Sequence, residues 1–355
     1  MNLSNLPCPI PTSKYPAVTL AHGGGGLLMH NLIDQMFTPA FNTTHIQTNQ
    51  KSQSGGHDSA ILYPRPGPLA ITTDSFVVRP LFFPGGDIGS LAVHGTVNDL
   101  AMSGALPRWL SVSFVLEEGL PMDVLWKIVC SLTKAAIETQ VEIVTGDTKV
   151  VERGRGDGIF INTTGLGEIH HQLLIHPSRI SPNDAILLSG DIGRHGIAVM
   201  ASREGLVFET TIESDSASLV DPILCLIRSG IEIHCLRDCT RGGLISTLNE
   251  LAISSNLTCQ IQESSIPVLP QVHGACEMLG LDPMSVANEG RFVAVLPANQ
   301  VDAALKILRT YPVSQGACLI GSVTPKDLAP VFVKNSYGTS RIASMLSGEQ
   351  LPRIC

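Results

Sequence analysis

The chain has 355 residues, of which 44% are hydrophobic and 15% charged, so it has enough apolar material for two packed domains and no composition typical of disorder. A formal net charge of -8 without long runs of Lys or Arg argues against a nucleic-acid-binding protein, and no stretch approaches the length of a membrane span. Nine cysteines, odd in number and irregularly spaced, favour a reduced cytoplasm over a disulfide framework. We therefore expect a cytoplasmic protein.

The N-terminal region contains four consecutive glycines, Gly23 to Gly26, directly after His22. Consecutive glycines form neither a stable helix nor a stable strand, because their backbone loses too much entropy on ordering. A flexible flap over a phosphate-bearing ligand and a solvated loop are both open interpretations. We assign residues 1–44 to an N-terminal extension that includes this Gly-rich flap.

The next elements bring three acidic residues to element ends or to an apolar helix face. Asp58 precedes an apolar stretch, and a strand at residues 69–74 ends at Asp74. A helix at residues 87–104 places Asp99 on its apolar stripe. A buried aspartate without a partner costs several kcal/mol or shifts its pKa upward. A metal ion or a buried ion pair at Asp99 would remove that cost.

A clear amphipathic helix at residues 121–139 and a short strand at residues 141–144 follow. The strand leads into a glycine-containing segment that we predict to be a turn, carrying Gly146, Asp147, Thr148 and Lys149. Ligands of α/β layers commonly bind at strand ends. This segment is therefore a candidate ligand site.

The second half repeats the alternation of strands and helices after a junction at residues 178–184, which contains Pro182, Asn183 and Asp184. We predict strands at residues 185–188, 231–236, 291–296 and 317–323, and helices at residues 196–203, 218–228, 270–280 and 301–310. Asp238 precedes Thr240, Gly242 and Gly243, which open a further helix. Glycines at a helix start leave backbone N–H groups free to hold phosphate oxygens, and Asp238 is placed to hold a cation beside them. Glu289 lies in a turn before one of the strands.

The last residues, Pro352-Arg353-Ile354-Cys355, end the chain in a cysteine. We predict a mobile tail over residues 335–355, with two helical turns at residues 340–347 that Gly348 ends. Twenty extended residues span at most roughly 65 Å, so the thiol could reach a site elsewhere. A frayed end and a travelling thiol are both consistent with these residues alone.

Common nucleotide-binding motifs are absent: there is no Gly-x4-Gly-Lys-[Ser/Thr] and no Gly-x-Gly-x-x-Gly that opens a helix after a strand. The remaining pattern is a set of carboxylates at strand and helix ends, namely Asp58, Asp74, Asp99, Asp147, Asp238 and Glu289. Hard oxygen ligands of this type suit Mg²⁺ that carries a nucleotide phosphate. The pattern indicates an ATP-dependent enzyme outside the common nucleotide-binding folds.

Three segments, Thr72-Thr73-Asp74-Ser75-Phe76, residues 97–104 and residues 238–244, resemble the ATP-binding signatures of the aminoimidazole ribonucleotide synthetase superfamily. Selenophosphate synthetase and thiamine-monophosphate kinase belong to it. Within this group, residues 72–105, residues 144–151 and the final Pro-Arg-Ile-Cys are similar to the HypE family, the hydrogenase maturation carbamoyl dehydratases. The resemblance implies an α+β, two-domain PurM-like fold with a flexible C-terminal tail. Its expected parts are an ATP-binding and dimerisation domain at residues 45–177, a second α+β domain at residues 178–334, and the tail.

The resemblance also implies a homodimer that uses ATP and Mg²⁺, with metal ligands at Asp58, Asp99 and Asp238. Nucleotide-binding residues are then expected at Asp74, Asn98, Gly146, Asp147, Thr148, Thr240, Gly242 and Gly243. In the family reaction, the carbamoyltransferase HypF places a carbamoyl group on the terminal cysteine, here Cys355. ATP drives its dehydration to a thiocyanate, and the cyano group passes to iron on the HypC–HypD scaffold complex for the [NiFe]-hydrogenase centre.

The reaction needs a base to remove the N–H protons as the C≡N bond forms, and Glu289 and Lys149 are the candidates. Their alternatives, a solvated turn acid and a lysine that pairs with phosphate, stay open. Two other functions also stay open: a small-molecule kinase or synthetase of the same superfamily, in which Cys355 is idle, and a non-catalytic nucleotide-binding scaffold that docks maturation partners.

Overall fold

A computed structural model describes residues 7–45, 59–206, 210–345 and 354. Two of the predicted site residues, Asp58 and Cys355, lie outside these ranges. Within them, no helix has both the length and the apolar character needed to cross a membrane.

The N-terminal segment forms a short 3₁₀ helix at Leu20–Gly23, helix α1 at Leu27–Leu32, one π-helical turn at Ile33–Phe37 and helix α2 at Thr38–Asn42. A Cβ atom on Gly23 would lie 2.7 Å from the backbone nitrogen of Val150, so only glycine allows this close approach. The beginning of the glycine run therefore packs against the strand that contains Val150.

The first domain is built on a four-stranded sheet of order β1-β6-β4-β5. Its strands are β1 (Leu69–Phe76), β4 (Leu106–Glu117), β5 (Glu142–Val151) and β6 (Ile159–Glu168), and a small hairpin is formed by β2 (Phe82–Phe83) and β3 (Gly86–Asp87). Within the described part of the four-stranded sheet, only β4 and β5 pair in parallel. Helices α3 (Ile88–Met102) and α4 (Met122–Glu138) pack together, and α3 lies against β1 and β6.

Helix α3 begins in a capping box, in which the Asp87 carboxylate accepts from the backbone N–H groups of Gly89 and Ser90 at 2.7 and 3.2 Å. The helix is apolar nearly all round because it is enclosed on several sides. It contacts its own sheet, and it also contacts elements of the second domain. This packing brings Asp99, near the helix C-terminus, to the junction of the two domains.

The segment that we predicted to be a turn, from Thr145 to Lys149, lies inside strand β5, so that prediction is wrong. Pairing with β4 on one side keeps this glycine-containing stretch extended. Since side chains alternate along a strand, Thr148 is buried on the face packed against α3, whereas Asp147 and Lys149 are exposed on the opposite, open face.

The second domain contains a seven-stranded sheet of order β13-β12-β9-β11-β7-β10-β8. Its strands are β7 (Asp184–Leu188), β8 (Cys235–Asp238), β9 (Thr258–Gln262), β10 (Phe292–Pro297), β11 (Cys318–Thr324), β12 (Val331–Lys334) and β13 (Ser340–Ile342). Its helices are α5 (Arg194–Glu204), α6 (Val220–Arg228), α7 (Gly243–Ser255), α8 (Pro270–Leu279) and α9 (Val301–Leu308). Among the described strands of this sheet, only β12 and β9 pair in parallel.

The predicted helix at residues 340–347 is also wrong, because Ser340–Ile342 is a strand that pairs antiparallel with β12. The unpaired backbone of edge strand β12 outweighs a weak local helix preference here. Ala343 follows as a buried residue. Its N–H donates to the carbonyl of Val331 at 3.1 Å, and its carbonyl accepts from Asn249 Nδ2 at 2.9 Å. The second sheet therefore extends beyond residue 334.

Candidate functional site

Four of the predicted carboxylates come together where the two domains meet. Asp74 lies near the end of β1, Asp99 in α3, Asp238 at the end of β8 and Glu289 in the bend before β10. Burial raises the pKa of all four side chains, and for three of them the negative charge of nearby carboxylates in the group raises it further. We call Asp74, Asp99, Asp238 and Glu289 the carboxylate cluster.

The aspartates of the cluster have distinct surroundings. Thr72 Oγ1 donates to Asp99 Oδ2 at 2.8 Å, which partly offsets the upward pKa shift that burial causes. Burial, together with the charge of Asp99, raises the pKa of Asp238 to about 7. The positive charge of Arg237 lowers the pKa of Asp238, and that of Arg241 lowers the pKa of Asp74. Acidic groups held in this way favour binding of a cation.

Glu289 is 3% exposed, and its pKa is raised well above the usual carboxylate range, first by burial and then by the charges of Asp238 and Asp215. Its backbone is held by Asp215, whose carboxylate oxygens accept from the N–H groups of Glu289 and Gly290 at 3.2 Å each. A Cβ atom on Gly290 would lie only 1.9 Å from the Asp215 carbonyl oxygen, so the bend requires glycine.

Asn98, which we predicted to line the nucleotide site, forms three hydrogen bonds with backbone groups of the protein. Its Nδ2 donates to the carbonyls of Ala217 at 2.9 Å and Glu289 at 3.3 Å, and its Oδ1 accepts from the N–H of Leu219 at 2.7 Å. Both amide hydrogens are therefore used. Asn98 joins α3, the segment before α6 and the Glu289 bend, so it holds Glu289 in place.

The predicted phosphate-binding glycines lie at the start of α7, directly after the cluster. Gly242 is the N-cap residue and Gly243 the first helical residue, with φ angles of 77° and 63° in the left-handed region. Asp238, at the end of β8, is bonded to this helix, because its backbone carbonyl accepts from Thr247 Oγ1 at 3.0 Å. The partial positive charge of the helix N-terminus is thus adjacent to the carboxylate cluster, with Thr240 between them in sequence.

Asp147 and Lys149 do not join the cluster within one chain. Strand pairing places Asp74, Thr163, Val112 and Gly146 in one row on the packed face, and Ser75, Asn162, Ser113 and Asp147 in the adjacent row on the open face. Lys149 shares the open face, and its Nζ lies 3.2 Å from Asp147 Oδ1. The prediction that Lys149 and Glu289 face one cleft therefore does not hold within a single chain.

The chain returns to this region at Ile354, the residue before Cys355. Ile354 is 3% exposed and packs into the main hydrophobic core, and its carbonyl accepts from His195 Nε2 at 2.9 Å. His195 Nδ1 lies 2.8 Å from Ser214 Oγ, and Ser214 is the neighbour of Asp215, which holds Glu289. The last described residue is thus linked to the cluster through one short segment.

A direct protein cage for a metal is not found in the described ranges, since no group of three or more His, Cys, Asp or Glu side chains there is arranged to hold an ion. Asp58, a predicted ligand, lies outside them. The donors present are carboxylates, which fit Mg²⁺ held by a few protein oxygens, with waters and phosphates completing its shell. The chemistry of the donor set therefore fits the expected ion.

Comparison with known proteins identifies the family. The model for "AIR synthase related protein, N-terminal domain" matches residues 56–169, and the model for the corresponding C-terminal domain matches residues 181–334. The carbamoyl dehydratase HypE of Cupriavidus necator is 48% identical over 342 residues, which cover 96% of each chain. The carbamoyl dehydratase HypE of Escherichia coli K12 is 40% identical over 338 residues, 95% of this chain and 99% of that protein. This chain belongs to the HypE family.

Solved HypE structures have the same two-domain α+β, PurM-like architecture. A crystal structure of the hydrogenase maturation protein HypE in complex with ATP superimposes with a TM-score of 0.89 at 47% identity, and it covers 95% of this chain and 99% of that one. A HypE–HypF complex gives a TM-score of 0.76 at 42% identity, covering 91% of this chain and all of the matched chain. A thiamine-monophosphate kinase of Stenotrophomonas maltophilia, at 20% identity and a TM-score of 0.62, shares the fold.

Two residues of this HypE-family chain were missed by sequence reasoning. Asp215 holds the Glu289 bend, and His195 holds the carbonyl of Ile354. Asp215 lies in Ser214-Asp215-Ser216, and this polar segment before a helix was the only available signal. His195 had no distinguishing feature in the sequence, because it lies at the start of an otherwise ordinary helix.

Proposed function

We propose that the chain is an ATP-dependent carbamoyl dehydratase that converts an S-carbamoyl group on Cys355 into a thiocyanate. The cyano group would become the cyanide ligand of the [NiFe]-hydrogenase iron. The observation that carries this proposal is the placement of Ile354, the residue before Cys355, in a buried position linked to the carboxylate cluster. Relatives named carbamoyl dehydratase, and a relative crystallised with ATP, support it.

The reaction removes the elements of water from R–S–C(=O)–NH₂. The carbamoyl oxygen attacks the γ-phosphorus of ATP, ADP leaves, and the oxygen becomes part of a phosphate leaving group. Loss of that phosphate and of the N–H protons leaves R–S–C≡N, ADP and inorganic phosphate. The oxygen is a poor leaving group until it is phosphorylated, so positioning and charge stabilisation carry most of the catalysis.

Glu289 is the proposed base for the N–H protons. Burial raises its pKa, so its carboxylate is a stronger proton acceptor than that of an exposed glutamate. Asp215 and Asn98 hold its backbone, and this fixes the side chain at the domain junction. Its burial also excludes water from the place where the proton is taken.

The phosphate groups are proposed to bind at the start of α7. The N–H of Gly243 donates to the Thr240 carbonyl at 2.9 Å, so the N–H groups of Leu244 and Ile245 would provide the donors for phosphate oxygens. Mg²⁺ is proposed to be held by Asp99 and Asp238 together with Asp58, with Asp74 beside them. When bound, the ion neutralises charge on the triphosphate and so also lowers the repulsion within the cluster.

The open face of the first sheet is the proposed homodimer interface. Ile71 is 71% exposed at its edge, and the neighbouring rows are polar residues of medium size. Pairing through this face would bring Asp147 and Lys149 towards the partner subunit, where Lys149 could pair with phosphate. Ile71→Lys should produce a monomer in sedimentation analysis. Ile253→Lys, at an exposed site of the second domain, should not change the mass.

HypF and the HypC–HypD scaffold are the proposed partners, and a HypE–HypF complex is known for a relative. A reducing cytoplasm is the proposed compartment. The eight cysteines within the described ranges are all free, which is consistent with that environment.

The test is intact-mass analysis after incubation with the carbamoyltransferase, carbamoyl phosphate and ATP. Wild-type protein should gain a carbamoyl group and then lose the mass of one water. Cys355→Ala should gain neither change, while Cys318→Ala, a control at a partly exposed cysteine of the second domain, should behave as wild type. A carbamoyl adduct on Cys355→Ala would refute the carrier assignment.

Two separate experiments distinguish the other functions. A chain truncated after residue 351 that still turned over a diffusible substrate would indicate a small-molecule kinase. Binding of ATP without any hydrolysis in the presence of the carbamoylated chain would indicate a non-catalytic scaffold.

A further inference from the structure

The hydrogen bond between His195 and Ile354 joins the second residue of α5 to the end of the chain, 159 residues further on. His195 is completely buried, and Phe83 packs edge-on against its ring, with the ring centroids 5.4 Å apart at 87°. Burial and the Phe83 ring restrict the orientation of this imidazole. Its polar contacts are therefore specific ones.

The partners of the ring fix its tautomer. The Ile354 carbonyl can only accept, so Nε2 carries the hydrogen and donates to it at 2.9 Å. In a neutral ring Nδ1 is then an acceptor, and Ser214 Oγ donates to it at 2.8 Å. Ser214 Oγ in turn accepts from the N–H of Ser216 at 3.0 Å. Every donor in this chain of hydrogen bonds points towards the carbonyl of Ile354.

The same short segment serves both the tail and the proposed base. Ser214 orients His195, and the adjacent Asp215 accepts from the N–H groups of Glu289 and Gly290. Cys355 is bonded to Ile354, and consecutive Cα atoms are about 3.8 Å apart. Fixing the carbonyl of Ile354 therefore fixes the point from which the Cys355 side chain departs.

We propose that His195 is a positioning residue that docks the tail, with its Nε2–H holding the carbonyl of Ile354 so that Cys355 is presented to the carboxylate cluster. The presentation to the cluster rests on the proposed dehydratase function, whereas the docking itself does not. One neutral hydrogen bond and one buried isoleucine form a modest anchor. An anchor of this size can be released and formed again.

Carboxypeptidase digestion of the 355-residue chain tests the docking without ATP or partners. Release of Cys355 requires cleavage of the peptide bond whose carbonyl is the one that His195 holds. Intact mass should show loss of Cys355 roughly five- to tenfold faster in His195→Leu than in wild type, as expected for loss of one hydrogen bond. His195→Gln, whose amide N–H can donate to the same carbonyl, should stay within roughly twofold of wild type.

Two further variants keep the test decisive. Ser214→Ala removes the donor that fixes the tautomer and should give an intermediate rate, even if His195→Leu folds poorly. His273→Leu, at an exposed site on α8, should digest like wild type. Equal digestion rates for wild type, His195→Leu and Ser214→Ala would overturn the docking.

The catalytic consequence is measured separately on protein already carbamoylated at Cys355. His195→Leu should lower the rate of dehydration while the rate of carbamoylation by the transferase is unchanged, and His195→Gln should restore dehydration. Faster digestion of His195→Leu without any dehydration in wild type would retain the docking and refute the proposed function. Unchanged dehydration in His195→Leu would refute the positioning role.

Discussion

Replacement of Asp238 by asparagine should stabilise the protein in the absence of a cation. The carboxyl group is buried beside Asp99 and Asp74, and its pKa is about 7 compared with an ordinary value of 3.8. A pKa difference of one corresponds to about 1.36 kcal/mol, so the ionised group costs the folded state about 4 kcal/mol at alkaline pH. Asparagine has nearly the same shape and carries no charge.

The direction in which stability changes with pH follows from the protons that the folded and unfolded states bind. Between pH 3.8 and about 7 the folded protein keeps the Asp238 proton while the unfolded chain has lost it, so this group makes stability fall as pH rises through that window. Between pH 5 and 8.5 the loss from this group alone is about 3 kcal/mol. Asp238→Asn should lack that part of the decline.

Urea unfolding in EDTA at pH 5 and 8.5 measures how far the unfolding free energies of wild type and Asp238→Asn each fall. A variant at an exposed acid, Glu152→Gln, is the control. The free energy of unfolding of wild type should fall by about 3 kcal/mol more than that of Asp238→Asn over this range. Addition of Mg²⁺ and ATP at pH 8.5 should then stabilise wild type more than the variant. Parallel pH profiles for the two proteins would refute the assignment of a strained carboxylate at this position.

Three other predictions follow from contacts around the cluster. Asp215→Asn loses one of the two acceptors that hold the Glu289 bend, so dehydration of the carbamoylated chain should slow on the order of tenfold while carbamoylation by the transferase is unchanged. Burial lowers the pKa of His94 from 6.5 to about 4, so the stability contributed by this group falls as pH drops from 6.5 to 4. His94→Gln should therefore abolish up to about 3 kcal/mol of that decline in urea unfolding. Gly290→Ala places a Cβ atom against the Asp215 carbonyl and should lower the unfolding free energy by about 1–3 kcal/mol; equal urea midpoints would contradict this.

Elements with long apolar periodicity were predictable from the sequence. Helices α3 and α4, and strand β1 with Asp74 near its end, lie where the pattern placed them, because burial of one face determines both the pattern and the element. The acidic residues of the cluster were predictable for a related reason. An acidic residue at the end of a buried element must form an ion pair, contact solvent or bind a ligand.

The wrong prediction for one segment and the two missed residues both depend on tertiary contacts. The Thr145–Lys149 segment contains glycine and polar residues, which are typical of a turn, and only its pairing with β4 makes it a strand. Asp215 contacts Glu289 across 74 residues of sequence, and His195 contacts Ile354 across 159. Contacts between residues so far apart in the sequence leave no local pattern, so these two positioning residues can be identified only from the fold.

Strand β13 and the buried Ala343 also limit the reach of the thiol. From Ala343 to Cys355 there are twelve residues, which extend to about 40 Å at most. Any protein that loads or unloads Cys355 while β13 stays paired must therefore bring its own active site within that radius of Ala343. Under this condition, a protein that exchanges a group with Cys355 must approach the side of the second domain on which β13 lies.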